Sequence, residues 1–240
     1  MATNKRINRA AMAQLDEALH AVADCDRAVW TLKKSIGECR SALGAGSFAS
    51  TAAEARAKFG LEVDKPVVLA FGGSQGARRL NSLVAEAAGI LGTRVQWLQI
   101  AGREDEGRVR QLAGSRAGHA VVGFCDNMPA AYAASDLVIS RSGGASLCEL
   151  AFLGLPSVLV PYPHAADDHQ THNAKCFEKA GAALLAPEEE LTGASLAKMV
   201  RELMENRGRL AEMQESARSL SVDDAAVRIC DALMSLEERI

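Results

Sequence analysis

Aromatic side chains make up only 4% of this 240-residue chain: two Trp, two Tyr and six Phe. So few rings cannot supply the series of stacking platforms that a single nucleic-acid strand needs. An excess of positive charge is missing too. The 27 Lys and Arg stand against 30 Asp and Glu, a net charge of −3, which excludes nucleic acid as the main partner because a phosphate-tracking surface needs clustered cations. No apolar run reaches membrane-spanning length; the longest, around 150–163, is broken by Gly154, Pro156 and Pro161. No apolar stretch follows the charged opening residues 1–6, so no signal peptide is expected. The six cysteines (Cys25, Cys39, Cys125, Cys148, Cys176, Cys230) lack CxxC spacing, which predicts reduced thiols in a cytoplasmic protein and no metal site.

What remains is 48% hydrophobic and 24% charged, an ordinary globular composition with length enough for a sizeable core. Two regions differ in rhythm. In residues 1–48, apolar positions at Met12, Leu15, Leu19, Val22, Cys25, Val29, Leu32, Ile36, Cys39 and Leu43 recur in steps of three and four. That spacing predicts a long amphipathic helix or a helical pair, packed on its own domain or docked on another chain. Gly44-Ala45-Gly46-Ser47 reads as a break. Residues 49–240 form the second region, and from Pro66 short apolar runs alternate with helical periods. Strands are expected at 67–71, 95–100, 120–122, 137–139, 157–160 and 182–185. Helices are expected at 77–91, 105–115, 128–134, 146–153 and 169–180, with more at 195–205, 209–220 and 223–238. Alternation of this kind predicts an α/β fold, a Rossmann-like parallel sheet with helices on both faces.

The richest segment is Ser140-Arg141-Ser142-Gly143-Gly144-Ala145-Ser146-Leu147-Cys148-Glu149. Adjacent glycines between a strand and a helix let an anion approach the backbone N–H groups at the positive end of the helix. Glu149, one turn in, is placed to reach a ribose diol. Two readings compete for it. Ser146-x-x-Glu149 fits a capping box, whereas a cap at Ser142 leaves Glu149 free for a ligand. An earlier cluster, Gly72-Gly73-Ser74-Gln75-Gly76, is GGSQG rather than GxGxxG, and no acid ends the second strand, which disfavours a dinucleotide site. It is either a bare glycine turn or a loop that presents Ser74 to a phosphate or sugar. The polar stretch 161–174 sits beyond a strand end, where open α/β sheets bind ligands. Asp167 or Asp168 as a helix cap, or donors and acceptors for a polyhydroxylated ligand, both fit it. His169 and His172 lack a carboxylate at metal-site spacing. Gly123-Phe124-Cys125-Asp126-Asn127-Met128 reads as a helix entry capped by Asp126 or Asn127, or as a backbone N–H and C=O pair facing a base edge.

Four loops, in order, therefore carry the polar chemistry: GGSQGARRLN at 72–81, GFCDNM at 123–128, SRSGGASLCELAFLGLP at 140–156 and DHQTHNA at 168–174. Together they resemble the MurG family of UDP-N-acetylglucosamine transferases over about residues 50–240. The resemblance implies the C-terminal, donor-binding half of a GT-B fold in residues 49–240. It implies that Ser74 contacts the donor diphosphate and that the backbone at Phe124 and Cys125 pairs with uracil. Ser142, Gly143, Gly144, Ala145 and Ser146 would present the phosphate-binding helix start. Glu149 would hold the ribose, and Gln170, with His169 beside it, would read the N-acetylglucosamine hydroxyls. Arg141 fits the motif without an assigned contact.

The implied reaction is an inverting transfer of GlcNAc to a lipid-linked acceptor, with no metal or other cofactor. The helix start would take the charge that develops on the leaving UDP. The family's acceptor-binding half, with its general base, has no match in residues 1–48. The catalytic base is therefore unassigned, His164 being one candidate, and an acceptor-binding partner subunit is expected. By resemblance the protein is cytoplasmic and peripheral on the inner face of the plasma membrane through that partner. The competing expectation is a nucleotide-sugar-binding module without transferase activity.

Overall fold

The computed structural model describes residues 48–73 and 77–221. The helical patterns at 8–43 and 223–238 and the residue Ser74 lie outside the described residues. Along the described chain the elements are α1 (Phe48–Lys58), β1 (Val67–Phe71), α2 (Arg78–Leu91), β2 (Gln96–Ile100), α3 (Glu106–Ala113) and β3 (His119–Val122). There follow α4 (Met128–Ala134), β4 (Leu137–Ser140), α5 (Gly144–Leu153), β5 (Ser157–Leu159), α6 (His169–Lys179), β6 (Ala183–Leu185), α7 (Gly193–Glu205) and α8 (Arg207–Ser219).

The strands form one six-stranded sheet in the order β3-β2-β1-β4-β5-β6, and all pairs are parallel. β1 reads VVLAF and is buried along its whole length, as a central parallel strand covered on both faces must be. Its alternate residues feed two cores. Val68 and Ala70 meet Leu80 and Val84 of α2 and Leu196 and Val200 of α7. Val67, Leu69 and Phe71 meet Tyr132 of α4, Leu147 and Leu150 of α5 and Phe177 of α6. The expected α/β class and every expected strand are present, with ends differing by a residue or so.

One helix was not expected. α1 is alanine-rich and lacks an apolar stripe, so no periodicity betrays it. Its anchor is tertiary: Ala55 packs against Ala130 and Ala134 of α4. The Arg56 guanidinium donates to Ala134 O (3.0 Å) and to Asp136 Oδ2 (2.8 Å).

β2 carries two buried glutamines, and both are satisfied. Gln96 mimics a neighbouring backbone, donating to Glu62 O (2.8 Å) and accepting from Glu62 N (2.7 Å). Gln99 Nε2 donates to Asn81 O (3.0 Å), which leaves Gln99 Oε1 facing His119 Nε2 at 3.0 Å. That pairing requires the Nε2–H tautomer of a neutral imidazole. Burial, aided by the Arg116 charge, pushes the His119 pKa down to about 4. The unfolded chain, with an ordinary histidine value near 6.5, therefore binds this proton first. Stability should be complete above about pH 6.5 and fall as the pH drops toward 4, by at most about 3 kcal/mol from this group. Urea melts of wild type and His119→Gln at neutral and acidic pH measure it. The acid loss should be smaller in the variant, and equal losses would remove His119 from the account.

Candidate functional site: a cleft at the strand ends

The strand order reverses between β1 and β4, and a crevice opens there beyond the carboxyl ends of the strands. It holds a cavity of about 220 Å³. Phe71 and Gly73 line it after β1, Ile100 and Gly102 after β2, and Gly123, Phe124 and Cys125 after β3. Met128 and Tyr132 of α4 and Ser146 and Glu149 of α5 complete the wall. Gly73 has φ +94°, a backbone that suits glycine and keeps this lip of the cleft free of a side chain.

α5 starts at the adjacent glycines. Gly143 is the N-cap, with extended backbone and no side-chain cap bond. Both capping expectations are thereby corrected: neither Ser146 nor Ser142 caps this helix. Ser146 falls on the third helical residue and Glu149 on the sixth, too far in to reach back to the N-cap. Ser142 is buried, and its hydroxyl donates instead to Gln170 O (2.7 Å). Asn173 Nδ2 donates to Ser142 O (3.1 Å). With the caps elsewhere, the first N–H groups of α5 are left to solvent or an anion, at exposed Gly144 and Ala145.

Glu149 is partly buried and accepts the Tyr132 hydroxyl on Oε2 at 2.6 Å. Burial pushes its pKa up, while the Tyr132 hydrogen bond pulls it down. Beside it, burial raises the pKa of the Cys125 thiol. The Phe124 ring is 46% exposed, with the Arg103 guanidinium 4.5 Å above its centroid. Asn127 caps α4 through its side chain, accepting from Ala130 N (3.0 Å), as one of the two expected candidates.

The β5–α6 loop stands apart from this cavity. His169 is exposed, its Nδ1 2.7 Å from Ala166 O. Gln170 accepts from Tyr162 N on Oε1 (3.0 Å), and its Nε2 donates to nothing among the described residues. The expected aspartate cap is corrected. Asp168 occupies the N-cap position of α6 in left-handed backbone with no side-chain cap bond, and Asp167 is left-handed as well. Such residues are strained, and strain of this kind clusters at functional loops.

Arg141, unassigned from sequence, braces that loop from below. It donates to Val160 O (3.1 Å) and Pro161 O (2.9 Å) and forms a buried ion pair with Glu188. Its guanidinium lies 5.4 Å from the Tyr162 ring centroid. Sequence reasoning also passed over Tyr132, although a lone tyrosine in the alanine-rich MPAAYAA helix was the available signal. Arg103, over the Phe124 ring, gave no signal at all.

The fold has relatives. A solved MurG structure from Acinetobacter baumannii superposes with a TM-score of 0.66 at 31% identity, covering 72% of this chain and 52% of that one. The C-terminal CMP-Kdo binding domain of WaaA from the same organism shares the fold alone, with a TM-score of 0.53 at 15% identity. Sheet order, crevice and these likenesses define a Rossmann-like half of the GT-B type. More narrowly, the chain belongs to the glycosyltransferase family 28 C-terminal domain family, whose model matches residues 67–229.

Its curated relatives include a protein of Syntrophotalea carbinolica that is 43% identical over 175 residues, 70% of this chain and 49% of that protein. Another, from Myxococcus xanthus, is 42% identical over 173 residues, 70% and 45% of the two chains. Each is named UDP-N-acetylglucosamine--N-acetylmuramyl-(pentapeptide) pyrophosphoryl-undecaprenol N-acetylglucosamine transferase. The chain spans about half the length of the curated relatives it matches. No described helix is long and apolar enough to cross a membrane.

Proposed function

We propose that this chain is the donor-binding half of a UDP-N-acetylglucosamine transferase of the MurG type. Its reaction is inverting transfer of GlcNAc to an undecaprenyl-diphosphate-linked MurNAc-pentapeptide, with the acceptor-binding half supplied by a partner that brings it to the inner face of the membrane. The observation that carries this reading is the crevice at the β1/β4 reversal, whose cavity Glu149, Phe124 and Cys125 all line.

Each part has a task the geometry suits. An ionised carboxylate accepts two hydroxyl protons of a ribose diol. The uncapped start of α5 at Gly143 and Gly144 offers N–H donors to a diphosphate, and the same donors stabilise charge on departing UDP. Gln170 Nε2 is available to a sugar hydroxyl. Ser74, which follows β1 in sequence, completes the diphosphate contacts by the family pattern, and no metal or other cofactor is invoked. The general base belongs to the acceptor half.

Calorimetric titration with UDP-N-acetylglucosamine tests the donor site. Saturable binding, with UDP competing, is expected. No heat beyond a nucleotide-free control refutes it. Transfer should occur only once an acceptor-binding half is added; binding without transfer under that condition leaves a nucleotide-sugar-binding module.

A further inference from the structure

Glu149 is held as well as placed. Its carboxylate stands between two environments, the buried face of α4 and the open cleft. Oε2 takes the Tyr132 hydroxyl at 2.6 Å; Oε1 accepts no hydrogen bond among the described residues, and Glu149 lines the cleft. The Tyr132 side chain does not move freely. It is 3% exposed, belongs to the core under β1, and meets the Phe71 ring edge-on with centroids 6.0 Å apart. A rigid phenol therefore fixes one carboxylate oxygen and aims the other.

We propose that Tyr132 is a positioning residue that orients Glu149 toward the cleft and sets the preference for a nucleotide with an intact ribose diol. The inference rests on the donor-site reading above. A flexible glutamate meets one or two hydroxyls nearly equally, because it re-aims at little cost. A fixed one loses a charge-assisted hydrogen bond outright when a hydroxyl is missing.

The hydroxyl of Tyr132 also favours the ionised carboxylate against the pull of burial. Among the described residues, the Cys125 thiol lines the same cavity and the Arg103 guanidinium lies over the Phe124 ring. Removing the phenol hydroxyl should thus move the acid limb of ligand binding to higher pH. A residue that merely supports the fold would not do this.

The test is titration of the full chain with UDP and with 2′-deoxy-UDP across about pH 5 to 8, bracketing carboxylate and imidazole titration, for wild type and Tyr132→Phe. Phenylalanine keeps the ring against Phe71, and a thermal melt confirms that the variant is folded. Wild type should prefer UDP over 2′-deoxy-UDP by roughly tenfold. The variant's preference should fall to about twofold, and its loss of UDP affinity should begin at higher pH. In a Glu149→Ala background, which leaves nothing for the phenol to orient, the Phe substitution should change neither quantity.

If wild type binds UDP and the Phe variant keeps the same preference and acid limb, the positioning role is overturned. It is overturned equally if the substitution weakens UDP binding to the same extent with Ala at 149. A wild-type chain that binds no UDP defeats the donor-site reading first, and this inference with it.

Discussion

Replacing Glu149 with alanine lowers affinity for UDP by about 100-fold, the loss expected when two charge-assisted hydrogen bonds to a diol disappear. The same change strips a buried tyrosine hydroxyl of its acceptor, so a stability loss of roughly 1–2 kcal/mol accompanies it. Glu149→Gln separates the two effects. The amide oxygen still accepts from Tyr132, while the charge and one acceptor facing the cleft are gone. It should melt near wild type and bind with intermediate affinity. Calorimetry and thermal melts on the three proteins decide the matter. An alanine variant that folds and binds UDP like wild type reduces Glu149 to a structural partner of Tyr132. The sign of the pH dependence follows from the raised pKa of Glu149: UDP binds best where the carboxylate is ionised, and affinity falls as acid protonates it earlier than an ordinary glutamate.

The largest effect on stability should come from Arg141. Its guanidinium ties the end of β4 to the chain just past β5, at Val160 and Pro161, and neutralises Glu188. Side-chain exposures of 11% and 5% leave little water to replace it. Arg79, with Nε at 3.7 Å from the other Glu188 oxygen and itself well exposed, is a weak substitute. Arg141→Ala should therefore cost about 3 kcal/mol or more, as breaking one side of a buried pair does. Replacing both residues by apolar side chains of similar volume, Arg141→Met with Glu188→Leu, should recover most of it. Urea melts measure both. A single variant within about 0.5 kcal/mol of wild type, the range of an ordinary surface change, would show that the pair contributes nothing.

How far the chain announced all this depends on the kind of signal. The strands were legible because an all-apolar run such as VVLAF fits only a strand buried on both faces. The cleft residues Phe124, Cys125, Ser146 and Glu149 were legible because motifs after successive strands must converge at one end of a parallel sheet. The local capping chemistry was not. Serine near a helix start usually caps it, but Ser142 is drawn to Gln170 by a tertiary contact that no local spacing encodes. The same limit hid α1, which rests on Ala130, Ala134 and Asp136 far along the chain. Tyr132 was missed for a related reason: its partner, Glu149, lies on the next helix, across an intervening strand.

The order of the sheet also governs how the chain can be made. β1 is central, yet it emerges first among the described strands. One side is closed by β2 soon afterwards, but the other waits for β4 at Leu137–Ser140. At typical synthesis rates of about 5–20 residues per second, the stretch between Phe71 and Leu137 takes roughly 3–13 s to appear. Through that interval VVLAF has an unpaired flank, with no charge or proline to deter a second chain. Soluble yield should therefore track nascent-chain protection over this window more closely than the stability of the finished domain, with slower translation or scarce chaperones favouring aggregates built on β1.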